Sequence, residues 1–154
     1  MEKYSISEVI EQAVQTEKLG AGFYTEMAGK FEDNKKIKKL FKTLAAMESA
    51  HELKFSELKN RVKDEKIEGW EEVSQYLRAI VESAFFLGQG KSLSSMRNVK
   101  TESDAVNYAL GFEKETLLYY LGIREIIKGK KAINEIIKEE KSHIVLLSKL
   151  IKNL

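Results

Sequence analysis

Four stretches of this chain carry apolar residues in alternating steps of four and three. The first runs Ile6, Ile10, Ala13, Glu17, Gly20, Tyr24, Met27, Phe31. The second runs Ile37, Phe41, Leu44, Glu48, His51, Phe55, Leu58, Val62. The third runs Val106, Ala109, Glu113, Thr116, Tyr120, Ile123, Ile127, and the fourth Ile133, Ile136, Glu140, His143, Leu147, Leu150, Leu154. Side chains at these steps line one face of an α-helix. Sustained over so many turns, the spacing is that of long helices packed at shallow angles. The chain has no proline, so nothing need interrupt such helices.

The punctuation agrees with four long helices. Ser5-Ile-Ser-Glu8 reads as a capping box opening the first. Gly29 and Asp33-Asn34 mark the first turn. The second helix should fade near Asp64, before Glu68-Gly69. Thr101 or Ser103 can cap the third. Gly129, among lysines, should end it and turn tightly into the fourth. Between the hairpins, Val73, Leu77, Ile80, Ala84 and Leu87 sketch a shorter helix over 71–87, and the polar stretch from Gly88 to about Thr101 reads as a loop. A connection that long can run the length of a bundle. The expected fold is therefore all-α: a ferritin-like four-helix bundle of two helix hairpins joined by a long crossover containing a short helix. At 154 residues, positions 1–154 are expected to form one domain.

The two halves repeat. Glu17 with Phe23-Tyr24 matches Glu113 with Tyr119-Tyr120 at an offset of 96 residues, and Glu48-x-x-His51 matches Glu140-x-x-His143 at an offset of 92. Two hairpins related by a pseudo-two-fold axis would bring Glu17, Glu48, His51, Glu113, Glu140 and His143 around one centre.

These six residues interrupt otherwise apolar stripes near mid-helix. The chain has two histidines, each with a glutamate three positions earlier, while glutamate fills 21 of 154 positions. Chance alone would produce that pairing roughly once in fifty chains. Buried unpaired carboxylates are expensive, and four converging without counter-charge would raise one another's pKa. Two divalent cations would neutralise them, with the imidazoles completing coordination and bridging carboxylates holding the ions roughly 3.5–4 Å apart. Oxygen-rich ligation with one imidazole per ion suits iron or manganese better than copper or structural zinc.

Other chemistries are excluded by composition. With no cysteine, the chain has no disulfide, thiolate nucleophile or Cys-ligated metal. Lys+Arg (26) nearly balance Asp+Glu (24), so neither nucleic acid nor an anionic membrane is an expected partner. The N-terminal MEKYSISEVIEQAV lacks the apolar core of a signal peptide, and no apolar run reaches membrane-spanning length. A soluble cytoplasmic protein is expected.

Across Glu17 with Tyr24, Glu48-x-x-His51, Glu113 with Tyr120 and Glu140-x-x-His143, the chain resembles the di-iron domain of rubrerythrins, within the ferritin-like superfamily. The resemblance implies two iron ions (with manganese or a mixed pair as variants) held by those six Glu and His residues, Glu48 and Glu140 bridging. It makes Tyr24 and Tyr120 hydrogen-bonding supports of ligand carboxylates, and it implies an oxidoreductase that reduces hydrogen peroxide or O₂. No catalytic residue beyond the metal centre is identified. The alternative is a ferroxidase or iron-binding protein without peroxidase turnover. The Cys₄ rubredoxin-type domain of the family is missing, so a separate electron-donor protein is expected, and the expected assembly is a homodimer. Rubrerythrins also carry a further glutamate three positions after the first ligand of the third helix; here that residue is Thr116. Glu115 beside it lies about 160° off the stripe and is a poor substitute.

Three further residues have plainer readings. Gly20, on a core stripe, costs roughly 1 kcal/mol of helix propensity relative to Ala, and close helix approach is the expected reason for it. Glu82 shares its face with Gln75, Arg78 and Gln89 and reads as solvated rather than as an extra ligand. Phe85-Phe86-Leu87 would cover the bundle or make a subunit contact.

Overall fold

A computed structural model of the chain describes residues 5–62, 67–82 and 98–154. It contains five helices: α1 (Ile6–Lys30), α2 (Lys35–Arg61), α3 (Trp70–Val81), α4 (Glu102–Ile126) and α5 (Lys131–Ile151). No strand occurs among the described residues. The four long helices follow the four stripes, and α3 is the short helix of the crossover.

The caps explain most of the boundaries. Ser5 Oγ accepts from the Glu8 N–H at 3.1 Å and Asn34 Oδ1 from the Ile37 N–H at 3.2 Å, each satisfying an amide that the first helical turn leaves open. Thr101, not Ser103, caps α4, in a reciprocal capping box with Asp104. Two boundaries fall close to where the sequence puts them. The second helix ends at Arg61, just ahead of Asp64, which itself lies outside the described residues. Helix α4 ends at Ile126, and a tight turn holding Gly129 leads into α5 at Lys131. That turn runs through extended backbone at Ile127, and the one glycine at positive φ among the described residues is Gly69 (φ 74°), at the N-cap of α3. Phe85–Leu87, and all but the end of the Gly88–Thr101 stretch, lie outside the described residues.

Contacts fix the bundle topology. Lys59 pairs with Glu11 at 2.8 Å and Lys18 lies 3.9 Å from Glu52, so α1 and α2 are antiparallel. Tyr24 meets Glu113 while Tyr120 meets Glu17, so α1 and α4 are antiparallel. His51 meets Glu140 and Lys54 meets Glu135, so α2 and α5 are antiparallel as well. Hence α2 and α4 run the same way, and the connection between them spans the bundle's length. At its far end the Lys30 ammonium donates to the Val99 carbonyl. The short α3 packs on α4: Leu77 is buried, and the Tyr76 hydroxyl donates to the Leu118 carbonyl at 2.9 Å. Gly122 permits this approach, since a Cβ there would stand 2.5 Å from Leu77 Cδ2.

The apolar core falls into two clusters. One gathers Ile10, Phe55, Tyr120, Ile123, Ile133 and their neighbours. The other gathers Phe23, Tyr24, Met27, Ile37, Phe41 and theirs. The polar interruptions of the four stripes lie between them.

Candidate metal centre

Each long helix of the bundle places its polar interruption at the same level of the core. Glu17, Glu48, His51, Glu113 and Glu140 have no solvent exposure, and His143 retains 5%. Two ligand sets result, each with donor atoms within 4.8 Å of one another: Glu17, Glu48, His51 and Glu140, and Glu48, Glu113, Glu140 and His143. Glu48 and Glu140 belong to both sets, the placement two bridging carboxylates require. The histidines are stacked with ring centroids 6.1 Å apart. His51 Nδ1 stands 2.9 Å from Glu140 and 3.6 Å from Glu17. His143 Nδ1 stands 3.6 Å from Glu113 and 3.8 Å from both Glu48 and Glu140. All six residues singled out in the sequence therefore meet in one cluster, and neither Glu82 nor Glu115 joins it.

The two tyrosines bind across the bundle rather than along their own helices. Tyr24, on α1, donates to Glu113 Oε1 of α4 at 2.6 Å, and Tyr120, on α4, donates to Glu17 Oε1 of α1 at 2.5 Å. Each occupies Oε1 of its carboxylate and leaves Oε2 buried without a protein partner. Phe41 stacks on Tyr24 at 5.9 Å and Phe55 tilts against Tyr120 at 4.8 Å, so both phenols are held by packing.

One functional side chain escapes the stripe pattern. Glu139 lies next to the inward Glu140, turned towards α2, and its carboxylate accepts from His51 Nε2. That bond fixes the ring with Nδ1 towards the centre. At the 92-residue offset the counterpart of Glu139 is Met47, which offers His143 no carboxylate. This break in the repeat is where the sequence marks the residue.

The electrostatics describe a site that holds protons in the absence of metal. Burial, followed by the charge of Glu140, raises Glu48 and Glu113 well above the usual carboxylate range. Burial also raises Glu17. Glu140 feels the same burial, but the closeness of Glu113, His143 and His51 outweighs it and holds its carboxyl low. Burial opposes charge on the histidines, yet the surrounding carboxylates prevail, raising His51 to about 11 and His143 to about 10.

The fit of this cluster to metal ions is tested by its loose ends. Nine buried side-chain polar atoms among the described residues lack a hydrogen-bond partner. They are Glu17 Oε2, both oxygens of Glu48 and of Glu140, Glu113 Oε2, Nδ1 of both histidines, and Thr116 Oγ1. Buried polar atoms without partners are rare. Eight of the nine belong to the six clustered residues and point into one volume, and all eight are donor atoms for a hard or borderline cation.

Sequence comparison decides the family. The family model for rubrerythrin matches residues 8–101, more than half of the chain. The chain belongs to the rubrerythrin family. The matched span holds Glu17, Glu48 and His51; the second half of this rubrerythrin-family centre is supplied by the structural repeat. Among solved structures, the chain is similar to a Thermotoga maritima protein classed as a ferritin-like diiron-carboxylate protein. Sequence identity is 23%, the TM-score is 0.73, and the match covers 96% of this chain and 95% of that one. No curated protein sequence matches. The chain is thus a rubrerythrin-family four-helix bundle with a buried Glu/His cluster suited to two metal ions. No helix among the described residues is long and apolar enough to cross a membrane.

Gly20 is part of this site. A Cβ at Gly20 would lie 2.9 Å from Phe112 Cε1 and 3.0 Å from Glu48 Oε2. Gly20→Ala is therefore expected to displace the Glu48 carboxylate and weaken metal binding. It should also destabilise the fold by about 1–3 kcal/mol through overpacking, more than the roughly 1 kcal/mol of helix propensity it gains. Gly22, two positions on, meets nothing within 4 Å, so Gly22→Ala should stabilise by about 0.5–1 kcal/mol. Thermal melts and Co²⁺ titrations of the two variants check both; equal behaviour would contradict the assigned role of Gly20.

Proposed function

We propose that this protein reduces hydrogen peroxide at a di-iron carboxylate centre, with electrons from a separate donor protein. The observation that carries the reading is the pair of ligand sets sharing Glu48 and Glu140 in a chain of the rubrerythrin family. Two iron ions bound there would supply two electrons by cycling between the ferrous and ferric states, which balances H₂O₂ + 2 e⁻ + 2 H⁺ → 2 H₂O.

The chain's own residues do the rest. Glu17, Glu113 and the two histidines would act as terminal ligands, and Glu48 and Glu140 as bridges. Tyr24 and Tyr120 hold the two terminal carboxylates in register, and Glu139 holds His51. The apolar clusters on both sides exclude bulk water, which strengthens electrostatic interactions inside the site. Thr116, buried with a free hydroxyl, stands where the family resemblance leads one to expect a carboxylate. It offers a neutral hydrogen bond in place of an anionic ligand. A separate donor belongs to this proposal because these 154 residues hold no cysteine to ligate a second iron centre.

Thr116 also favours a second reading, a ferroxidase or oxidase that uses O₂. Stopped-flow oxidation of the di-ferrous protein at equal concentrations of the two oxidants separates them. Peroxide is expected to react about tenfold faster or more, equivalent to ~1.4 kcal/mol of barrier. A faster reaction with O₂ would move the assignment to the second reading. Storage in a cage is a different matter: native mass should show a small assembly, with a dimer as the proposed state.

A further inference from the structure

Charge is distributed unevenly along the α2/α5 face. From Asn34 to Met47, at the start of α2, and from Lys141 to Leu154, over the end of α5 and the residues that follow it, there are eight lysines and no acidic side chain. Because α2 and α5 are antiparallel, these two segments lie side by side at one end of the bundle. Beyond the metal centre the same face is mixed, with Lys54 3.8 Å from Glu135 and Glu139 against His51. Among the described residues none of the eight lysines pairs with a carboxylate. Lys36, Lys39 and Lys149 are exposed. Lys36 precedes Lys54 by five helical turns and so shares its α5-facing side.

Of these lysines, Lys36 and Lys39 of α2 and Lys149 of α5 flank an apolar spot, whereas Lys38 and Lys42 lie in a groove against α1 with Thr25, Ala28 and Glu32. Val145 is 52% and Leu146 46% exposed, and Leu146 lies seven residues after Glu139, on the side of α5 turned to α2. Two residues before Val145 comes His143, which retains 5% exposure where the other five clustered residues have none. Lys39 is nine residues from Glu48, about 14 Å along the helix. The charged rim, the apolar centre and His143, the one clustered residue that retains any exposure (5%), thus lie at the same end of the bundle.

The geometry points to this end of the α2/α5 face as the docking surface for an acidic one-electron redox protein, the donor required by the function proposed above, on which this inference rests. Complementary charge steers such encounters and sets their rate, and an apolar centre within a polar rim is the anatomy of a protein interface. A nucleic acid is a poorer match: the formal net charge is only +2, and Val145 and Leu146 occupy the middle of the patch. Each encounter delivers one electron; two are consumed per peroxide, which leaves with two protons as two waters.

The test uses flavodoxin, an acidic flavin protein, as probe and the metal-loaded full chain. Two double variants carry the same change in net charge: Lys39→Glu/Lys149→Glu within the patch, and Lys131→Glu/Lys138→Glu on the other half of α5. Calorimetric titration at low salt should show saturable binding that weakens as salt approaches the physiological range. The patch variant should bind about tenfold more weakly or worse, and the control within about twofold of the parent. Equal losses in both variants, no saturable binding at low salt, or tighter binding of a short DNA duplex or an anionic vesicle through the same lysines would overturn the proposal. Chemical reduction by dithionite bypasses docking and should be unchanged in both variants. If the dithionite-reduced protein ignores peroxide, the functional reading fails while the docking result still stands on its own titration.

Discussion

Glu140→Ala is expected to abolish tight binding of both metal ions, whereas Glu17→Ala should leave about one ion per chain. The difference follows from membership of the ligand sets: Glu140 contributes to both and Glu17 to one. Glu140 also stands 2.9 Å from His51 Nδ1 and 3.8 Å from His143 Nδ1, so its loss removes the group that links the two imidazoles. Losing an outer-shell partner costs roughly 10–100-fold in metal affinity, and removing a shared ligand should cost more than that at both positions. Glu48→Ala should behave like Glu140→Ala. Anaerobic Fe²⁺ titration of the variants, with circular dichroism to confirm that each remains helical, reads the stoichiometry. Superimposable binding curves for Glu17→Ala and Glu140→Ala would refute the assignment of bridging and terminal roles.

Metal removal is the second large effect. A ligand that binds only the folded state stabilises it by roughly 4 kcal/mol when its free concentration is a thousand times Kd, so chelation should lower Tm substantially. The size of the effect should depend on pH, and its sign can be worked out. In the apo protein His51 and His143 are raised to about 11 and 10, and Glu17, Glu48 and Glu113 are raised as well. The folded apo state therefore binds more protons than the unfolded chain, and its stability falls as pH rises above about 4.5. The low pKa of Glu140 acts in the opposite sense, and only below the ordinary carboxylate range. Metal ions take the place of these protons, so metal affinity should increase with pH and loading should release protons. Melts of apo and loaded protein between about pH 5 and pH 8 should diverge as pH rises. Glu17→Leu should stabilise the apo form, by about 1–4 kcal/mol if apolar packing replaces the buried charge well, while damaging the site. A loaded sample whose Tm ignores chelator would contradict this linkage.

Much of the fold was legible because helical periodicity converts directly into a buried face. Four stripes become four long helices, and the glutamates and histidines that interrupt them meet because the hairpins repeat. What stayed hidden depends on register between helices. That Tyr24 serves Glu113 and Tyr120 serves Glu17 follows from the antiparallel pairing of α1 with α4, which no local pattern encodes. Glu139 sits about 100° around the helix from Glu140, outside any inward stripe, and acquires its role only because His51 of α2 faces it. Gly20 was readable as a point of close approach, but the groups it admits, Phe112 and Glu48, are tertiary facts. Gly129 was legible as the end of a long helix and a tight turn into α5, but not that the turn runs through extended Ile127 or that positive φ falls at Gly69.

The central claim is that four buried carboxylates and two histidines, most of their polar atoms lacking a protein partner, form one site for two metal ions. Anaerobic titration of the apo protein with Fe²⁺, followed by elemental analysis after gel filtration, tests it most directly. The account predicts two tightly held ions per chain in the parent protein. Retention of only trace metal after loading would contradict it.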